Sequence, residues 1–177
     1  AYVYARQQTN AVNNRVLIFV VGNETRPENL SGSASYAVTL FGTAAQTASN
    51  STAPVPLRVR GDGTITADFR NTNVTGNFTV TTDELDSQGS DVASTTETSS
   101  FAATGQRSGN SYSANVAQTG CSTAQACTSR SQISGAFYGA TGDETAGIGI
   151  IDETLVENGI TYDTDGAITF IGSRSTQ

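Results

Sequence analysis

Four groups of side chains have types and spacings that invite chemistry. Acidic residues fall close together as Asp62 with Asp68 and as Asp152 with Glu153, and two carboxylates are the minimum for general acid–base work. Cys121 and Cys127 are able to bond to each other, or, with the six tyrosines, to ligate iron. Arg58 and Arg60 stand two apart. In a strand they share a face, where they grip an anionic partner or keep an edge strand soluble. Phe137 and Tyr138 lie side by side in a glycine-rich run, SGAFYGATGDETAGIGII, that also holds Asp143 and Glu144.

Composition removes most catalytic uses of these groups. The 177 residues contain nine arginines and no lysine, histidine, methionine or tryptophan. Without histidine there is no Ser-His or Cys-His nucleophile and no imidazole base or metal ligand. Without lysine there is no Schiff base and no P-loop phosphate grip. The carboxylate pairs are indistinguishable from turn residues, so no catalytic residue is assigned and the chain is expected not to be an enzyme. The stretches DTDG at 163–166 and GDGT at 61–64 look like fragments of calcium loops. The position a calcium loop would fill with glutamate holds Arg174. Asp-Gly is also a strong hairpin signal, so both stretches are expected to be turns, with no metal and no cofactor.

Charge and cysteine usage bound the surroundings. Charged residues make up 14% of the chain and the net charge is −7, which disfavours nucleic acid and anionic membrane surfaces by repulsion. The longest apolar run, RVLIFVVG at 15–22, has the length of a strand and is too short to span a membrane as a helix. The sequence begins at Ala1 without a charged segment or an apolar leader, so an exported chain is expected to have lost its signal. Cys121 and Cys127 are spaced C-x5-C in a polar stretch, unlike zinc or thioredoxin-type spacings. A disulfide closing a hairpin tip is expected, contributing about 2 kcal/mol and implying an oxidising compartment. Five Asn-x-Ser/Thr sequons, at Asn23, Asn29, Asn50, Asn73 and Asn77, arise readily by chance in so Thr- and Asn-rich a chain.

Helical periodicity is nearly absent, whereas alternation of apolar with small or polar residues recurs between glycine-bounded turns. Eight strands are expected, over 33–42, 63–69, 75–82, 99–105, 111–117, 130–139, 145–152 and 166–173. The fold class is all-β: an eight-stranded antiparallel up-and-down β-barrel with an N-terminal strand extension, which leaves no exposed sheet edge. The organisation is an N-terminal arm over 1–30 with the apolar strand, followed by a β-barrel domain over 31–177. Pro54 and Pro56 suggest an edge or loop crossing, and a hairpin is expected as an insertion at about 154–166. Alternation also places Phe137 and Tyr138 on opposite faces of one strand, one filling the barrel and the other on its outer wall. Thr141 has the capping-box spacing to Glu144.

The stretches SGSASYAVTLFG, GDGTITADFRNTNVTGNFTV, FAATGQRSGNSYSANV and above all GAFYGATGDETAGI resemble the transferrin-binding-protein-like bacterial surface lipoprotein barrels. The Phe-Tyr-Gly stretch is the most specific element, and the likeness runs over about residues 30–173. Three departures are that Ala1 stands where those lipoproteins begin with a lipid-bearing cysteine, that lysine, usually abundant in them, is missing, and that the insertion at 154–166 interrupts the run from the Phe-Tyr-Gly strand to the closing strand. The resemblance implies an extracellular or bacterial cell-surface barrel that recognises a ligand or host protein, as related barrels capture iron proteins or haem. Iron ligation here would fall to tyrosinate or thiolate, and no haem site is assigned. Phe137, Tyr138, Arg58 and Arg60 are the candidate ligand contacts. An alternative is a structural subunit in which Val16, Leu17, Ile18, Phe19, Val20 and Val21 complete a neighbouring copy's sheet, building a filament or layer. The partner is then another protein, either a host or ligand protein or copies of the chain itself.

Overall fold

The computed structural model describes residues 2–10, 13–92, 95–120 and 126–175, with side chains from Val20 onward. Eleven strands account for almost all of it: β1 (Tyr2–Asn10), β2 (Asn13–Val21), β3 (Ser33–Ala48), β4 (Val55–Asp68), β5 (Asn73–Glu84), β6 (Glu97–Ser108), β7 (Ser111–Thr119), β8 (Ala126–Ser129), β9 (Gln132–Tyr138), β10 (Glu144–Glu157) and β11 (Ile160–Arg174). From β3 to β7, and on through β9, β10 and β11, each strand pairs antiparallel with the next. The ladder between β11 and β3 closes the ring. This is the expected eight-stranded up-and-down barrel.

β8 and β9 act as one stave. Both pair with β10, with Ile150 opposite Gln132 and Glu153 opposite Ser129, so the same register runs through the break. Between them the Arg130 amide still donates to the Asp152 carbonyl at 2.9 Å. Cys127 lies in β8, and none of the described cysteines is free. Cys121 lies outside the described residues, and with it the expected bond.

The strands run longer than the apolar alternation indicated. GDGT at 61–64 lies in mid-β4, paired with β3 and β5, and DTDG at 163–166 lies within β11. Neither is a turn. Pro56 likewise sits inside the first rungs of β4, opposite Ala45. Residues 154–166, expected as an inserted hairpin, are the continuing ends of β10 and β11. The turn joining them is Asn158–Gly159, both at positive φ (51° and 78°), as a two-residue hairpin loop requires.

Inward side chains fill the barrel unevenly. At the end where β3 starts and β11 finishes, Tyr36, Phe69 and Tyr112 pack around Phe137, with ring centroids 5.6, 5.1 and 5.1 Å from it. Leu30, from the segment before β3, joins this cluster. Glycines make the layer possible: a Cβ on Gly135 would stand 2.6 Å from the Tyr112 hydroxyl oxygen. The ring hydroxyls are satisfied. Tyr36 donates to the Gly142 carbonyl at 2.7 Å. Thr145 donates to the Ala136 carbonyl, so Tyr112 donates to Thr145 at 2.8 Å. Burial pushes the Tyr36 phenol up to about 12, with Arg174 pulling it down and Asp143 adding to the rise, and burial also raises Tyr112.

The N-terminal arm is a hairpin followed by a segment that docks on the barrel. β1 and β2 pair only with each other among the described residues. The following segment docks beside β9: the Thr25 amide donates to the Phe137 carbonyl at 2.9 Å and the Gly139 amide to the Asn23 carbonyl at 3.0 Å.

Truncating Phe137 removes the hub of the ring layer. Phe137→Ala is expected to lower the unfolding free energy by about 3–5 kcal/mol and Phe137→Leu by clearly less, read by denaturant unfolding.

Candidate ligand-binding cavity

Opposite the ring layer the barrel holds a cavity of about 140 Å³. Its position follows from side-chain size, because at this strand number the interior is just wide enough for side chains to fill it. Rings occupy one end. The other is lined by Leu57, Val59, Val80, Val116 and Ile168, with Phe78 and Phe170 at the floor. Gln46, Thr164, Gln118, Ser99 and Glu97 supply a polar rim, where the Gln46 amide donates to the Thr164 hydroxyl at 3.3 Å.

One carboxylate stands in this wall. Glu153 lines the cavity, and its Oε1 accepts from the Ser131 hydroxyl at 2.5 Å, while the Ser129 hydroxyl, 2.7 Å away, shares its one proton between Oε1 and the Val116 carbonyl at 2.5 Å. Its Oε2 is buried without a hydrogen-bond partner. Burial pushes the Glu153 carboxyl above its ordinary value of 4.5; the two serine bonds oppose the shift and Asp152 adds to it. Asp152 and Glu153, paired in the sequence analysis, point to opposite faces of β10, because neighbours in a strand alternate.

The other candidate residues are scattered. Phe137 is fully enclosed inside the barrel. Tyr138 packs on the outer wall with Ala136 and Ala146, against Val20 and Ile171. The two aromatics divide between core and wall as alternation predicts. The Thr141 hydroxyl donates to the Asp143 carboxylate at 2.8 Å. Arg58 and Arg60 do share the outer face of β4. Arg58 reaches Asp91 at 2.8 Å and the Gly89 carbonyl at 3.1 Å, while Arg60 bonds to Asp83 and lies 3.7 Å from Asp91. Bonds from Thr96 and Arg60 hold the Asp83 carboxyl below its ordinary range. Asp62 accepts from Thr39 at 3.0 Å, and Asp68 caps the next turn through the Arg70 and Asn71 amides. Val16, Leu17, Ile18, Phe19, Val20 and Val21 pair along β2 with β1, Val20 opposite Val3 and Val21 opposite Tyr2. The side chains of the first four lie outside the described residues. Among the described residues no three His, Cys, Asp or Glu side chains converge as a metal group would need, and no helix is long and apolar enough to cross a membrane.

Sequence reasoning missed the cavity, although one signal for Glu153 was present. Ile151, Glu153 and Leu155 alternate in phase with Gly147 and Gly149, which places the carboxylate inward. Ser129 and Ser131 share the facing side of the neighbouring strand.

No protein-family model and no curated sequence matches the chain. Two solved structures resemble it in fold. One is isotype 1 transferrin binding protein B from serogroup B Neisseria meningitidis, 15% identical, TM-score 0.52, over 99% of this chain and 32% of that one. The other is a double mutant of the vaccine antigen transferrin binding protein B from Haemophilus parasuis Hp5, 16% identical, TM-score 0.50, over 98% of this chain and 32% of that one. The chain thus has a fold like a barrel of transferrin binding protein B and spans about a third of the length of the structures it matches.

A carboxyl whose folded pKa is raised holds its proton more tightly in the folded than in the unfolded chain. Stability is therefore lost as pH rises from the ordinary value of 4.5 through the folded one. Glu153→Gln is expected to flatten that decline and to melt at or above the parent at neutral pH. Calorimetry across the pH range checks this, and parallel profiles for the two proteins would remove Glu153 as the responsible group.

Proposed function

We propose that the chain is a non-catalytic binding barrel of the extracellular space or bacterial cell surface that recognises a ligand or host protein. The observation that carries the reading is the uneven interior: rings fill one end, and the other is an apolar cavity with a few polar groups at its rim. Small-molecule sites commonly take this form. The Cys121–Cys127 disulfide belongs to the same reading, as the bond of an oxidising exterior. The fold neighbours are named for binding transferrin, which makes transferrin the first host protein to present to this chain.

The test is saturable uptake of benzene, a ring of the size such a cavity admits. Methyl NMR shifts at Val80, Val116 and Ile168 are expected on titration and should disappear in Val80→Phe, which fills the space. Shifts that never saturate, or that survive the filling, overturn the cavity as a ligand site. Immobilised chain challenged with transferrin tests the host-protein branch by surface plasmon resonance.

A second reading is a subunit that assembles through its N-terminal strand. It is favoured by β1 and β2 forming a sheet of their own, with no ladder to the barrel among the described residues. On this reading light scattering of the full chain shows polymers that vanish when residues 1–22 are deleted. A dispersed species near 18.3 kDa removes it.

A further inference from the structure

We infer that the cavity is built for a small primary amine, with an apolar body about the size of one aromatic ring and its ammonium directed at Glu153. The inference rests on the cavity being a ligand site and adds the chemistry of what enters it.

Size sets the body. About 140 Å³ is close to the roughly 150 Å³ of an apolar protein cavity that takes up a single benzene. The walls set the polarity of that body: Leu57, Val59, Val80, Val116 and Ile168 offer no hydrogen bonds, so the part of a ligand lying against them must be apolar.

Charge sets the head. The ionisable side chains on the lining are Glu97 and Glu153, and no arginine joins them. Asp152 adds a further negative charge beside Glu153. The lining thus repels anions and attracts cations. Glu153 is also short of donors. Enclosed polar atoms normally have a partner, whereas here the serine contacts fall on Oε1, that of Ser129 shared with the Val116 carbonyl, and Oε2 has none. Oε2 itself is enclosed, and the soft terminal torsion of a glutamate is the freedom by which the carboxylate turns toward a donor in the cavity that Glu153 lines. An ammonium supplies several N–H groups and the compensating charge at once, and charge-assisted bonds of this kind are the strong ones. A neutral alcohol supplies one hydroxyl and no charge.

Benzylamine and benzyl alcohol differ only in that head and serve as the probes, with binding followed by calorimetry and by the same methyl shifts. Benzylamine is expected to bind the intact chain about tenfold or more tightly than benzyl alcohol, and Glu153→Gln should erase that preference. Equal affinities in the parent, or a preference that survives in Glu153→Gln, overturn the amine assignment. The comparison within the parent stands even if the variant folds poorly. Alcohol binding without amine preference sinks the head-group assignment and leaves the cavity as a ligand site; binding of neither compound sinks both.

Discussion

Phe137 touches Tyr36, Phe69 and Tyr112, and the packing of these rings sets the terms for the rest of the barrel. Eight strands fix the diameter of the interior, so its filling is decided layer by layer by side-chain volume. The ring layer closes one end and gives the N-terminal segment a surface to dock on through Thr25 and Leu30. At the other end aliphatic side chains, with Phe78, Phe101 and Phe170 among them, leave part of the same diameter unfilled. The cavity is the remainder of that sum.

The polar groups of the two ends differ in the same way. Around the rings, Tyr36, Tyr112 and Thr145 each find a partner, and the network ends on backbone carbonyls. At the open end Glu153 is left incomplete. A protein interior tolerates buried polar groups when they are bonded and penalises them otherwise. Among the described residues the Nε of Arg107 and the Oε2 of Glu153 are left without a partner, and of the two Glu153 borders the empty apolar volume. Function, where it exists, tends to occupy such exceptions.

Alternation made the strands legible. Tyr36, Val38 and Leu40 point inward at every second position, and comparable runs mark the other staves. The same rule assigned Phe137 to the core and Tyr138 to the wall. It failed where glycine was taken for punctuation. Gly61 and Gly63 sit in mid-strand, where Gly63 yields space to the cross-strand Phe78 ring and Gly61 to the Thr79 carbonyl and Leu40. It failed again beyond residue 152, where polar residues continue β10 and β11 because ladder bonds, indifferent to side-chain polarity, carry the pairing on to Asn158. The cavity could not be read at all, since a void depends on which side chains from different strands meet at one height. The outer face of β4 shows a similar limit: the shared face of Arg58 and Arg60 was legible, while Asp83 meets Arg60 from the neighbouring β5 and Asp91 reaches both arginines only through the return of the chain after β5.

The seam between β3 and β11 has a consequence in time. It joins the first stave of the barrel to the last, with Tyr36 opposite Arg174 and Ala48 opposite Tyr162. Every other rung of the ring links strands that are near neighbours in the chain, so a growing polypeptide can lay them down in order as a curling, open sheet. The seam must wait for β11, the last stave. Until then β3 keeps a bare hydrogen-bonding edge, and the interior has a slit along its whole height. Such long-range closure is slow compared with local pairing. Folding of this barrel therefore ends with an event like the fastening of a zip, and the half-closed sheet before it is the form most open to pairing with the wrong chain.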